Sequence, residues 1–172
     1  MSQIRPEHSV RRPLYTAEER VRRDGTKWTM VHGILAPVQF LAFAISIALV
    51  MRYLLTGSGY EAATISILIK TFLLYTIMVT GAIWEKVVFG QYLLAPAFFW
   101  EDVFSFAVIA LHTAYLVALW TGFLTAEQQM VLALVAYATY AINAAQFIWK
   151  LRLARLDAAR HENSPLSPAV QA

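Results

Sequence analysis

Glu85, Glu101 and Asp102 are the side chains in this sequence best suited to acid–base chemistry. They share one stretch, Gly81 to Phe106, reading GAIWEKVVFGQYLLAPAFFWEDVFSF, which joins two strongly apolar segments. Lys86, Gln91, Trp84, Tyr92 and Trp100 accompany them. Polar groups kept between hydrophobic segments are expensive near lipid and are functional candidates by default. Trp-Glu occurs twice, at 84–85 and at 100–101. One copy alone reads as an aromatic belt with a carboxylate facing headgroup water. Two copies flanking one connection could instead converge on a shared site. On a helix starting near Trp100, Glu101, Ser105 and His112 fall at i, i+4 and i+11 on one face, with Asp102 turned about 100° away. Neighbouring carboxylates disfavour double ionisation, so one could keep its proton and serve as a general acid. The bland alternative is a helix N-terminus, where acidic residues are stabilised by the macrodipole.

Other polar groups lie deeper. Lys70 sits in an otherwise apolar helical turn and calls for a partner that the sequence does not name. His32, Gln39 and Phe43 share one helical stripe. His32 and His112 together invite a bis-histidine haem site, but their depths along their spans differ by roughly 12 Å at ~1.5 Å per residue. Two axial ligands must meet one iron at one level, which disfavours that site; a lone histidine could still ligate a metal already held in a tetrapyrrole, or simply hydrogen-bond another span. Asn143, Gln146 and Lys150 line one side of the last apolar segment, where interhelical hydrogen bonding is the plain explanation.

The elements that position these groups follow from composition. The 172 residues are 59% hydrophobic and 15% charged, above the roughly 45–50% apolar share of soluble domains. The pattern predicts an all-α integral membrane four-helix bundle with a short N-terminal amphipathic helix. Spans are expected at about 28–55, 62–83, 100–120 and 126–149, each long enough for the ~20 residues a crossing needs, the first with length to spare for tilt or projection. Residues 1–15 read as a flexible basic arm, 16–155 as the single four-span domain, and 156–172 as a polar, disordered tail. Met1 to Lys27 lacks the apolar core of a secretory signal. Thr16 with Glu19, and Thr125 with Gln128, fit capping boxes that open helices. Pro37 falls inside the first span and predicts a kink. Cysteine is absent, which excludes disulfides, thiolate metal sites and a cysteine nucleophile within the chain. The formal net charge of +3 comes from unevenly placed basic residues, so nucleic acid is not an expected partner. Seven Lys and Arg precede Trp28 and four follow Ile148. Both termini, and with them the connection between the second and third spans, are therefore expected on the cytoplasmic side.

The run TIMVTGAIWEKVVFGQYLLAPAFFWEDVFSF, followed by IALHTAYL and VAYATYAINAAQFIWK, closely resembles the vinyl (bacterio)chlorophyllide hydratases. The upstream LYTAEERVRRDGTKWTMVHGILAPVQFL fits as well, so the resemblance covers Leu14 to Arg155. It implies an integral enzyme of the bacterial inner membrane, active in bacteriochlorophyll synthesis. Such enzymes add water across the C3 vinyl group of chlorophyllide a, or of the related bacteriochlorin, to give a 3-(1-hydroxyethyl) group. The resemblance implies no cofactor beyond the Mg²⁺ that the substrate carries. Membrane lipid, a second copy or neighbouring pathway enzymes are the other partners to expect.

The chemistry then assigns roles. Protonating the terminal vinyl carbon needs a neutral acid, and Glu101 is the first choice. Glu85, or else Asp102, would stabilise the cation and take the water's proton. Ser105 could hold the water, and Lys86 could either pair with the pigment's propionate or snorkel to the headgroups. Gln39, Gln91 and Tyr92 would line the macrocycle, with His32 preferred over His112 as the axial ligand to the substrate's Mg. A pigment-binding or assembly protein without catalysis, and a b-type cytochrome, remain the competing readings.

Overall fold

A computed structural model describes residues 14–162. Of the flexible arm expected at 1–15, residues 1–13 lie outside the described residues, as does the expected tail from 163; Leu14 and Tyr15 are instead packed in an apolar core, Tyr15 being buried. Five helices follow in order: α1 (Ala17–Gly25), α2 (Lys27–Thr56), α3 (Tyr60–Phe89), α4 (Phe99–Thr121) and α5 (Ala126–Glu162). No strand occurs among the described residues. α2, α3, α4 and the Ala126–Leu156 part of α5 are each long and apolar enough to cross a membrane. Their outward faces carry bare apolar side chains such as Phe72, Trp120 and Trp149, a surface that lipid and not water would cover. The chain is a membrane protein.

Local chemistry sets the helix ends. At α1, Thr16 Oγ1 accepts from the Glu19 amide at 3.2 Å and the Glu19 carboxylate accepts from the Thr16 amide at 2.7 Å. This reciprocal cap satisfies two otherwise orphaned donors. Thr125 and Gln128 repeat it at α5, at 3.0 and 3.3 Å. α2 runs through Pro37 without ending. α3 stops at Gly90, whose φ of 83° lets its amide reach back to the Lys86 carbonyl, a left-handed cap that only glycine adopts without strain.

Two boundaries differ from the sequence reading. α3 continues to Phe89, so Glu85 and Lys86 lie in its closing turns and the connection to α4 spans only residues 90–98. Burial of Val88 and packing of Phe89 against Tyr15 hold those turns helical. α5 continues to Glu162, past the start of the expected tail at 156; its Lys150 is tied to α4.

α2 packs closely along α3, and α4 along α5; α2 also meets α5, while the α3/α4 seam is the sparser one. One apolar core, built on Val50, Ile67, Tyr115, Met130 and Tyr137, fills the half of the bundle near the short turns. A second, aromatic core of Tyr15, Val88 and Phe98, backed by Trp84, Phe89 and Phe147, closes the other end. α1 lies across that second end. The Arg22 guanidinium donates to the Val88 carbonyl at 2.8 Å, and Arg23 lies 4.8 Å from the Tyr15 ring centroid.

Candidate active site at the aromatic end

The connection at 90–98 folds back on two buried carboxyl groups. Asp102 is on the first turn of α4 and Glu85 on the last turns of α3. The Leu94 amide donates to Asp102 Oδ2 at 2.7 Å, and the next amide, Ala95, donates to Glu85 Oε2 at 3.2 Å. Leu94 is the described non-glycine residue with a positive φ, 60°. That conformation costs a side-chain-bearing residue roughly 1–2 kcal/mol. It aims two successive amides into one spot, the kind of nest that receives anions. Glu85 and Asp102 are 5% and 4% exposed and lie against each other, close enough to interact directly. Two carboxyl groups in such contact repel unless a proton lies between them.

Glu101 has a different environment. Its Oε2 meets Lys150 Nζ of α5 at 2.5 Å, and the same ammonium lies 5.1 Å from the centroid of the Phe98 ring. Ser105 Oγ donates to the Glu101 carbonyl at 2.9 Å and accepts from Asn143 Nδ2 at 2.9 Å. The structure thus gives Glu101 an ion-pair partner that the sequence reading did not name: Lys150, one turn beyond Gln146 on the α5 stripe. The sequence placed Lys150 on that stripe but gave no sign that it faces Glu101. The shared end of the α4/α5 hairpin was the available clue. The Leu94 and Ala95 amides and the Tyr15 cover had no sequence signal at all.

The other predicted residues divide. Lys86 Nζ turns to its own cap and donates to the Gly90 carbonyl at 2.7 Å, with the Tyr92 ring 5.3 Å away. Gln91 donates to the Leu93 carbonyl at 3.2 Å. All three are exposed at the rim and do not join the carboxyl pair. His32 is wedged between α2 and α3. Its Nε2 is 3.3 Å from Thr80 Oγ1 and its ring stacks on Trp84. Gly81 leaves room for it: a Cβ there would sit 3.2 Å from His32 Cε1. Trp84 in turn donates to Thr29 at 2.9 Å.

His112 lies mid-bundle and is 1% exposed. Its Nδ1 is 2.8 Å from the Val108 carbonyl, so Nδ1 carries the proton and donates. Nε2 has no partner among the described residues and presents its lone pair. An imidazole anchored through one nitrogen to a carbonyl, with the other free, is the arrangement of a metal-binding histidine. Gln39 is buried with both amide atoms unpartnered.

Residues 15–153 match the family model described as 2-vinyl bacteriochlorophyllide hydratase. The 2-vinyl bacteriochlorophyllide hydratase of Rhodobacter capsulatus is 71% identical over 161 residues, 94% of this chain and 94% of the relative. That of Cereibacter sphaeroides is 76% identical over 146 residues, 85% of this chain and 91% of the relative. No solved structure matches. With 139 consecutive positions inside the family's pattern and relatives aligned nearly end to end, this chain belongs to the 2-vinyl bacteriochlorophyllide hydratase family.

Proposed function

We propose that the protein is a hydro-lyase that adds water across the C3 vinyl group of chlorophyllide a or of the corresponding 3-vinyl bacteriochlorophyllide. The product is the 3-(1-hydroxyethyl) pigment of bacteriochlorophyll synthesis. The end-to-end identity with relatives named for that substrate and reaction carries the reading. The membrane is the bacterial inner membrane, with both termini on the cytoplasmic face, where the basic residues lie.

The Glu85–Asp102 pair supports a proton-transfer mechanism. Asp102, with the shorter amide bond, is the carboxylate of the pair, and Glu85 holds the shared proton. Glu85 protonates the terminal vinyl carbon, and the C=C π pair forms the new C–H bond. The positive charge is left on the carbon attached to the ring, where the macrocycle delocalises it and Asp102 faces it. Water attacks that carbon through an oxygen lone pair. The oxonium loses a proton to the carboxylate pair, which restores the starting state. A positioned acid and base of this kind contribute typically 10²–10⁴-fold each. Glu101, fixed by Lys150, sets the position of the α4 first turn. The substrate's own Mg takes His112 Nε2 in preference to His32, whose ring is occupied by Thr80 and Trp84. No other cofactor enters the reaction.

The test is incubation of the purified protein with chlorophyllide a, with the product identified by chromatography and mass. A gain of one water is expected. Pigment recovered unchanged but tightly bound would replace the enzyme by a carrier.

A further inference from the structure

The mechanism leaves one strongly polar side chain unused. Lys70 is in the middle of α3 and is 0% exposed. Among the described residues its Nζ has no hydrogen-bond partner, and it lies 3.6 Å from the centroid of the Tyr140 ring on α5. No acidic residue lies within the middle of any span: Glu61 and Glu127 are at the far helix ends, and Glu85, Glu101 and Asp102 at the aromatic end. The ion pairs among the described residues, Arg23–Asp24 and Lys150–Glu101, do not include it. An ammonium in that position is stabilised by the π face, yet a buried cation needs a counter-charge, and none pairs with it among the described residues.

The surroundings are equally unfinished. His112 on α4 lies within electrostatic reach of Lys70, and its Nε2 is unpartnered. Gln39 on α2, also unpartnered, lies one turn from Phe43, whose ring meets Tyr140 at 5.1 Å. Lys70, Gln39 and His112 thus come from three different spans into the bundle interior. At the sparse α3/α4 seam, Tyr75 and Thr113 share a 2.7 Å hydrogen bond.

We infer that Lys70 anchors a carboxylate carried by the bound pigment, with Gln39 lining the same layer and His112 on the pigment's metal. This rests on the proposed pigment substrate and adds the contact that recognises its acidic side arm. Lys70 and Glu85 are fifteen residues apart on α3. That is roughly 22 Å of rise between backbone positions, before the lengths of both side chains are taken off. A ligand touching both must run along the seam. A flat macrocycle with a carboxylate arm on one edge and a vinyl group on another does so. Anchoring the arm fixes which edge reaches the carboxyl pair.

The experiment compares chlorophyllide a with its methyl ester on the purified, detergent-solubilised protein, with binding read from the pigment's absorbance shift. Wild type should bind the free acid at least ~10-fold more tightly, the scale of one charge-assisted contact. Lys70→Met should bind acid and ester equally, close to the wild-type value for the ester. Met replaces the chain's length without its charge, and a thermal melt verifies that it folds. Equal binding of acid and ester by wild type, or discrimination that survives in Lys70→Met, overturns the anchor. Decanoate is the second probe: a lysine-dependent affinity equal to the pigment's would make the site a general fatty-carboxylate site and overturn the assignment. Because binding is read without turnover, discrimination with no hydrated product would sink the hydratase reading and leave the anchor standing.

Discussion

The two polar regions of this bundle are built on opposite principles. At the aromatic end every key carboxyl group has a partner: Asp102 and Glu85 each take a loop amide, and Glu101 takes Lys150. In the interior, Lys70, His112 and Gln39 bring donors and acceptors that stay unmatched among the described residues. Buried polar groups are normally satisfied, so the difference is informative. On the proposed reading, the first region is organised before any ligand arrives and holds the proton, and the second is completed by a ligand that brings charge and metal.

That contrast can be broken at either end. Asp102→Asn should have the largest effect. It removes the anion that faces the developing cation and should lower the hydration rate by ~10²–10⁴-fold, measured by product chromatography, with pigment binding retained. Glu101→Gln should act on stability instead. A broken buried ion pair costs about 3–5 kcal/mol, but Lys150 keeps 27% of its side chain exposed, so about 1–3 kcal/mol is expected here. A detergent melt checks this, and Glu101→Gln/Lys150→Met should recover part of the loss. If Glu101→Gln instead abolishes hydration at unchanged stability, Glu101 is the acid and the division of roles fails.

In the interior, His112→Ala should weaken binding of the Mg pigment by about 10-fold while leaving the metal-free pigment unchanged, as expected for a lost ligand supported by a carbonyl. His32→Ala should affect both pigments alike. The smallest effect belongs to Gly81→Ala. Its Cβ would press on His32, and the overpacking should cost about 1 kcal/mol, read as a lowered melting temperature with hydration nearly intact.

The bundle was legible in the sequence because apolar length and capping chemistry are local. Thr16–Glu19 and Thr125–Gln128 close as their spacing predicts. The site was legible only as a region. Trp84-Glu85 and Trp100-Glu101 are the same dipeptide with different fates. Trp84 is fixed to Thr29 and its neighbour Glu85 meets Asp102, whereas Trp100 is 66% exposed and its neighbour Glu101 meets Lys150. Nothing in a dipeptide encodes which helix faces it. The loop amides of Leu94 and Ala95 were also hidden, because a positive φ at leucine has no compositional signature. Lys70 stood out as needing a partner, but an aromatic face 70 residues along the chain is a tertiary fact.

The central claim is that Glu85 delivers the proton. Its most direct test is the hydration rate of Glu85→Gln in membranes, with pigment binding followed in the same sample. The amide preserves size and cannot act as the acid. The predicted result is wild-type pigment binding with hydration lowered by ~10²-fold or more. Hydration at a near-wild-type rate in that variant would contradict the assignment and move the proton donor elsewhere in the bundle.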